Sequence, residues 1–368
     1  MPPGRFRSPR TAKSIGTNRA LLLCLRSPRI AALALFLFVL FSFRAINNLP
    51  ASVSPEDQDA NLLKSLGVPV GIELARDLDK MYGRDIFIDG IDRCERFRSS
   101  VPAKDRFVSA AGMYNTGTHV IFSYLDKYCE LPGKDQTKVK NARDKLRKDA
   151  KIQEVMDSGI LFETYWGKHK HVTDRGNVVT LPKYEGMPVD NLLPVVMIKD
   201  PFTWLSSMCR NPYNWLEGRH YLEDGTQCPN LVENDEPVPV NVIYSMRKDR
   251  AQRPDMKFDS LVHMYNQWYS EWHDAKFPRL IVRYEDLLLH PEEITNRVCT
   301  CAGGHWSPNH PFELVSQKAK KYGTGLEGAL ARYGNATKRI EDFTTANLEF
   351  AKRHLDQKLF KKFHYFLP

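Results

Sequence analysis

Between residues 105 and 285 the hydrophobic positions fall into short unbroken runs rather than alternating ones. Arg106–Ala111 leads into Gly112, Pro194–Ile198 into Lys199-Asp200-Pro201, and Leu280–Tyr284 into Glu285-Asp286. A strand covered on both faces reads this way, because neither face needs polar residues. A fourth run, Ile160–Tyr165, lies between the first two. After the turns the spacing becomes helical. Val120, Ile121, Tyr124, Leu125 and Tyr128 form an apolar stripe after Gly117, and Trp204, Leu205 and Met208 form one after Asp200. Asp200 is a natural N-cap, and Pro201 suits the first helical position. The longest amphipathic pattern is Phe258, Leu261, Val262, Tyr265, Trp268, Tyr269 and Trp272, whose aromatics read as core. Strands alternating with helices predict an α/β fold with a central parallel sheet flanked by helices.

Upstream of this body the pattern is different. Ile30–Phe43 runs fourteen residues without a charge, about 21 Å as a helix. Arg29 and Arg44 flank it and can snorkel outward. The alternative is the apolar region of a signal peptide, but Ser42-Phe43-Arg44-Ala45 makes a poor cleavage site, which favours a retained anchor. The division expected is a basic tail at 1–29, an anchor at 30–46, a stem at 47–82 with a short helix near 71–82, and a catalytic domain at 83–368. The stretch 134–151, dense in Lys, Arg and Asp, reads as a solvated helix or loop.

Charge refines the topology. The net charge is +9, yet residues 1–44 hold eight of the 53 Lys and Arg and no acid, leaving 45 bases against 44 acids beyond them. The body is nearly neutral, so nucleic acid is not an implied partner. The asymmetry instead places the N-terminus in the cytosol and residues 45–368 in the lumen of a single-pass type II membrane protein. Six of the seven cysteines follow the anchor, as suits an oxidising compartment. Their pairing is open, with Cys209–Cys228 preferred because it closes a loop containing Pro and Trp. The sequon Asn335-Ala336-Thr337 fits the same compartment.

The strongest chemical signal is Gly112-Met113-Tyr114-Asn115-Thr116-Gly117-Thr118-His119, set between a strand and a helix. Glycines let the backbone approach a ligand closely, and successive N–H groups at a helix start face an anion. The usual nucleoside-triphosphate loop has Lys after its second Gly and then Ser or Thr for magnesium. Thr118 and His119 stand there instead, which argues against a P-loop kinase or nucleotidase. A metal-binding D-x-D of the glycosyltransferase kind occurs only as Asp57-Gln58-Asp59 and Asp77-Leu78-Asp79, and neither follows a strand.

On these residues the chain resembles the sulfotransferase superfamily, in particular its Golgi type II carbohydrate sulfotransferases. That family's 5′-phosphosulfate loop, K/R-x-G-T-T/S, lies over Asn115-Thr116-Gly117-Thr118-His119. Its 3′-phosphate element is a basic residue with Ser eight positions on, matched by Lys199 and Ser207 around Lys199-Asp200-Pro201. Val282-Arg283-Tyr284-Glu285-Asp286-Leu287 is similar to the R-Y-E-D-L of many members. These elements cover 105–290. The resemblance implies a P-loop-containing nucleotide-binding fold, 3′-phosphoadenosine-5′-phosphosulfate as co-substrate, no metal, a hydroxyl acceptor such as a carbohydrate, and Golgi membrane location.

One departure stands out: Asn115 occupies the place of the family's loop Lys or Arg, so charge on the leaving phosphate falls to His119, Lys168 or Arg210. The resemblance also implies a general base between the two phosphate elements, and His169, Glu163 and His171 are the candidates in that order. His169 and His171 lack further ligands at a spacing that zinc needs. The basic, Gly-containing stretch Lys318, Lys320, Lys321, Tyr322 and Gly323 lies where the family closes a loop over the 3′-phosphate; a solvated lysine run is the plainer reading. Asn115 also keeps open a catalytically impaired lumenal binding protein of the same fold.

Overall fold

The computed structural model describes residues 78, 80–83, 85–135, 157–161, 167–175, 189–211, 213, 216–218, 229–242, 256–307, 311–314 and 333–368. All of them fall within one unit, 59–368. The anchor at 30–46, the tail and most of the stem lie outside the described residues, among which no helix is long and apolar enough to cross a membrane.

A mostly parallel five-stranded sheet organises this unit. In chain order its strands are β1 (Ile88–Asp89), β2 (Phe107–Gly112), β3 (Ile160–Leu161), β4 (Leu192–Ile198) and β5 (Leu280–Arg283). Their order across the sheet is β1-β5-β4-β2-β3, parallel throughout except for β1, which pairs antiparallel with β5 at one edge. Every residue of β2, β4 and β5 is buried, which accounts for the absence of alternation in the apolar runs.

Helices cover both faces. On one side lie α1 (Cys94–Ser100), α2 (Thr118–Tyr128) and α6 (Pro291–Cys301), where Val108, Ala110, Val195, Met197, Leu280 and Val282 meet Phe97, Ile121, Leu125 and Val298. On the other lie α3 (Pro201–Arg210), α4 (Leu261–Asp274), α7 (Thr345–His354) and α8 (Gln357–Lys362). There Ala111, Val196, Ile198 and Ile281 pack with Phe202, Leu205, Trp268 and Trp272. Neighbouring strand residues thus feed opposite cores, as the pleat requires.

Disulfides Cys94–Cys301 and Cys129–Cys299 tie α6 to α1 and to the residue after α2. Cys209 is disulfide-bonded too; its expected partner, Cys228, lies outside the described residues. The core reaches back to Leu78, Met81 and Tyr82, into the stretch read as stem. The third strand stops at Arg283, one residue short of the expected Tyr284, because Tyr284 opens the short helix α5 (Tyr284–Leu289).

Candidate functional site

Register sets the site. Gly112 of β2 pairs with Met197 of β4, and Met197 pairs with Val282 of β5. The turns that follow these three strands therefore open side by side at one edge of the sheet, the edge where open α/β sheets bind ligands.

The first turn requires both its glycines. Gly112 sits at φ 137°, and a Cβ there would fall 2.8 Å from Thr116 Oγ1 and 2.9 Å from Met197 O. Gly117, the left-handed N-cap of α2, leaves no room for a Cβ, which would lie 2.2 Å from the Tyr284 ring. The buried Thr116 hydroxyl donates to Met113 O at 2.8 Å, tightening the turn. Val120 and Ile121 donate their amides to Gly117 O, and no side chain caps the helix. The first turn of α2, with Thr118 buried and His119 half-buried, fronts the strand ends.

Asn115 does something other than imitate a lysine. It adopts φ 58°, and its amide donates to Ser207 O, in the last turn of α3, at 3.0 Å and toward the carbonyl of Asn211, the residue that follows α3, at 3.4 Å. Its Oδ1 accepts from Tyr213 OH at 3.1 Å. The side chain thus binds the first turn to the helix that follows the second.

In that second turn Lys199 is 3% exposed. Its ammonium donates to Ser207 Oγ at 3.0 Å, to Tyr333 OH at 2.8 Å and, at the edge of hydrogen-bond range, to Asn115 O at 3.5 Å. The rings of Tyr333 and Tyr284 lie 4.4 and 5.2 Å from it. Lys199 and Ser207, the pair predicted at a spacing of eight, are therefore in direct contact. Asp200 caps α3 by accepting from the Thr203 amide at 3.0 Å and forms a buried ion pair with Arg339. Its own N–H donates to Glu285 Oε1 at 3.0 Å, and Tyr365 OH donates to Glu285 Oε2 at 2.9 Å. Burial, then the neighbouring Asp200, pushes the Glu285 carboxyl up to about 7.

The third motif turns out to be structural. Arg283 grips Asp286 through two 2.7 Å contacts and donates to the carbonyls of Tyr82, Asp85 and His364. Both ends of the described body are fastened behind the site in this way.

The candidate base His169 comes to the same edge. Its backbone N–H donates to Gly112 O at 2.8 Å, its ring stacks on Tyr114 with centroids 4.3 Å apart, and Lys168 bridges to Gly112 beside it. His171 belongs to the core instead: it is 2% exposed, hydrogen-bonds Glu271 at 3.0 Å and stacks against Phe258. Lys170 is buried as well. Arg210, a candidate cation, is ion-paired with Asp342. Glu163 lies outside the described residues, as does 318–323. Among the described residues no group of three or more His, Cys, Asp or Glu is arranged to hold a metal ion.

Several residues at this edge carry no motif. Tyr333, Arg339 and Tyr213 reach it from distant chain positions, and only Tyr284, inside the R-Y-E-D run, had a local signal. Compared with protein-family models, curated proteins and solved structures, the chain matches none.

Proposed function

We propose that the chain is a sulfotransferase of P-loop-like fold, anchored in the Golgi membrane with its body in the lumen. It moves a sulfuryl group from 3′-phosphoadenosine-5′-phosphosulfate to a hydroxyl of a glycan. The observation that carries this reading is the pairing of two strand-to-helix turns on adjacent parallel strands, with a buried lysine in contact with both. A bisphosphorylated adenosine presents two separated anions, and such a pair of turns can take one each. The helix start at Gly117–Thr118 would hold the 5′-phosphosulfate, and Lys199 with Ser207 the 3′-phosphate.

In this mechanism the acceptor oxygen attacks sulfur in line with the bridging oxygen. The new S–O bond forms as the bond to the 5′-phosphate breaks, and His169 takes the acceptor's proton. The products are a sulfate ester and adenosine 3′,5′-bisphosphate. Charge on the departing phosphate is met by the α2 amides, with His119 and Lys168 nearby, since Asn115 faces α3.

Asn115 supports a second reading, a protein that binds the nucleotide without turning it over. The full chain, purified in detergent and supplied with radiolabelled donor and mixed glycans, separates the two. Transfer supports the enzyme, donor binding alone supports the binding protein, and absence of both rejects the nucleotide reading. Lys199→Ala should weaken adenosine 3′,5′-bisphosphate roughly ten- to hundredfold, the worth of a charge-assisted contact. Lys338→Ala, at an exposed position, should leave it unchanged.

A further inference from the structure

The chain's single glycosylation sequon, Asn335-Ala336-Thr337, lies on the segment that returns to the second turn, and the proposed reaction makes no use of it. We propose that Asn335 carries an N-linked glycan in the mature protein, rooted beside that turn. This rests on the lumenal placement of the body given above, and is independent of the nucleotide.

The segment moves between core and solvent within a few residues. Gly334 and Arg339 are buried, Ala336 packs against the core, and Thr337 and Lys338 are exposed. Asn335 itself is half-buried, and the two polar atoms of its amide have different surroundings. Oδ1 accepts from the Lys338 amide at 3.0 Å, an exposed contact that caps the turn. Nδ2 has no hydrogen-bond partner among the described residues. Nor is it one of the buried polar atoms that lack a partner, so it is open to solvent.

That division suits the modification. The acceptor pattern needs an Asn amide and a hydroxyl two residues on, at the protein surface. A bond forms from Nδ2 to the anomeric carbon of an oligosaccharide as that carbon's bond to the oxygen of a lipid diphosphate breaks. The amide gives one hydrogen, as a proton, to the departing diphosphate. The carbonyl oxygen keeps its lone pairs throughout, so the contact with Lys338 survives. The neighbours fix where the sugars stand. Two residues earlier Tyr333 OH meets the Lys199 ammonium at 2.8 Å, and four residues later Arg339 pairs with Asp200. The Arg339 amide also donates to Asn335 O at 3.1 Å. A bulky, hydrated group attached between these two residues therefore borders the second turn.

The full chain, made in a eukaryotic secretory host beside the same chain with an Asn-Gly-Thr extension after Pro368, tests this. The parent should carry one glycan, and a peptide-N-glycosidase should remove it and leave an aspartate that marks the position in mass spectra. Thr337→Ala and Asn335→Asp should each abolish the gel shift, while Thr337→Ser should retain it. Asp still offers an oxygen to the Lys338 amide, so a lost glycan in that variant is not a lost fold. Release should need no denaturant, because Nδ2 faces solvent. Release only from the unfolded chain would overturn the proposal, since the amide would then be turned inward. A modified extension with an unmodified Asn335 would overturn it too. If neither sequon is modified, the body is not lumenal, and the topology falls along with the glycan.

Discussion

Gly117 and Asn115 answer the same demand on the backbone in two ways. Both have positive φ, 87° and 58°, a region that costs an ordinary L-residue about 1–2 kcal/mol. Asn enters it more readily than a long basic side chain does, and here its amide also holds the C-terminal end of α3 through Ser207 O and Asn211 O. That gives Asn115 a geometric reason to stand where the sulfotransferase pattern has Lys or Arg. Gly117 has no such latitude, since a Cβ would lie 2.2 and 2.5 Å from two carbons of the Tyr284 ring. Gly117→Ala should therefore cost about 2–4 kcal/mol in chemical denaturation, the sum of the backbone term and the crowding. Combining it with Tyr284→Ala should recover the crowding part and leave the backbone part. A single variant as stable as the parent would show that ring and loop do not meet this closely.

At the scale of elements, Glu285 is where the starts of α3 and α5 and the C-terminal tail converge, through the Asp200 amide and Tyr365 OH. Its carboxyl titrates at about 7 in the fold against an ordinary 4.5, so the native state holds that proton more tightly than the unfolded chain. The stabilising contribution is present below about pH 4.5 and is lost as pH rises through about 7, on the order of 3 kcal/mol in all. Glu285→Gln keeps an acceptor for the amide and should flatten this loss, read as a smaller difference in urea midpoint between pH 5 and pH 7.5. An unchanged pH dependence would place the titrating group elsewhere. How far such elements are legible in the chain follows from the range of the signal. The apolar runs gave three strands to within two residues, because full burial on both faces writes itself into the local pattern. The second begins earlier than read, at Leu192, since Pro194 on a buried strand looks like a start. Strand β1 has two residues and left no pattern. His171 read as a candidate base because its partner, Glu271, is a hundred residues away. Tyr333 and Arg339 were missed for the same reason: a contact made only in three dimensions leaves no spacing to read.

Across the whole molecule the two faces of the sheet are stabilised differently. Both disulfides whose two cysteines are described converge on α6, on the face with α1 and α2, and they close sequence separations of 207 and 170 residues. The face bearing α3 and α4 relies instead on large aromatics, with Trp204, Trp268, Trp272 and Tyr269 fully buried. That second face carries Lys199 and Ser207, while the first carries the α2 helix start. Paired replacement of Cys129 and Cys299 by Ser should destabilise the chain by about 2–5 kcal/mol. Hydrogen exchange should then rise first in α6 and in the end of α2 nearest Cys129, the parts whose tether is lost. The Gly112–Gly117 turn lies at the other end of α2, and its neighbours Asn115, Ser207 and Lys199 hold one another through the second face. Below the new unfolding midpoint, binding of adenosine 3′,5′-bisphosphate should therefore stay as tight as in the parent. Loss of binding in step with loosening of α6 would mean that the site depends on the disulfide-bonded face as a unit, and the division of labour between the two faces would be refuted.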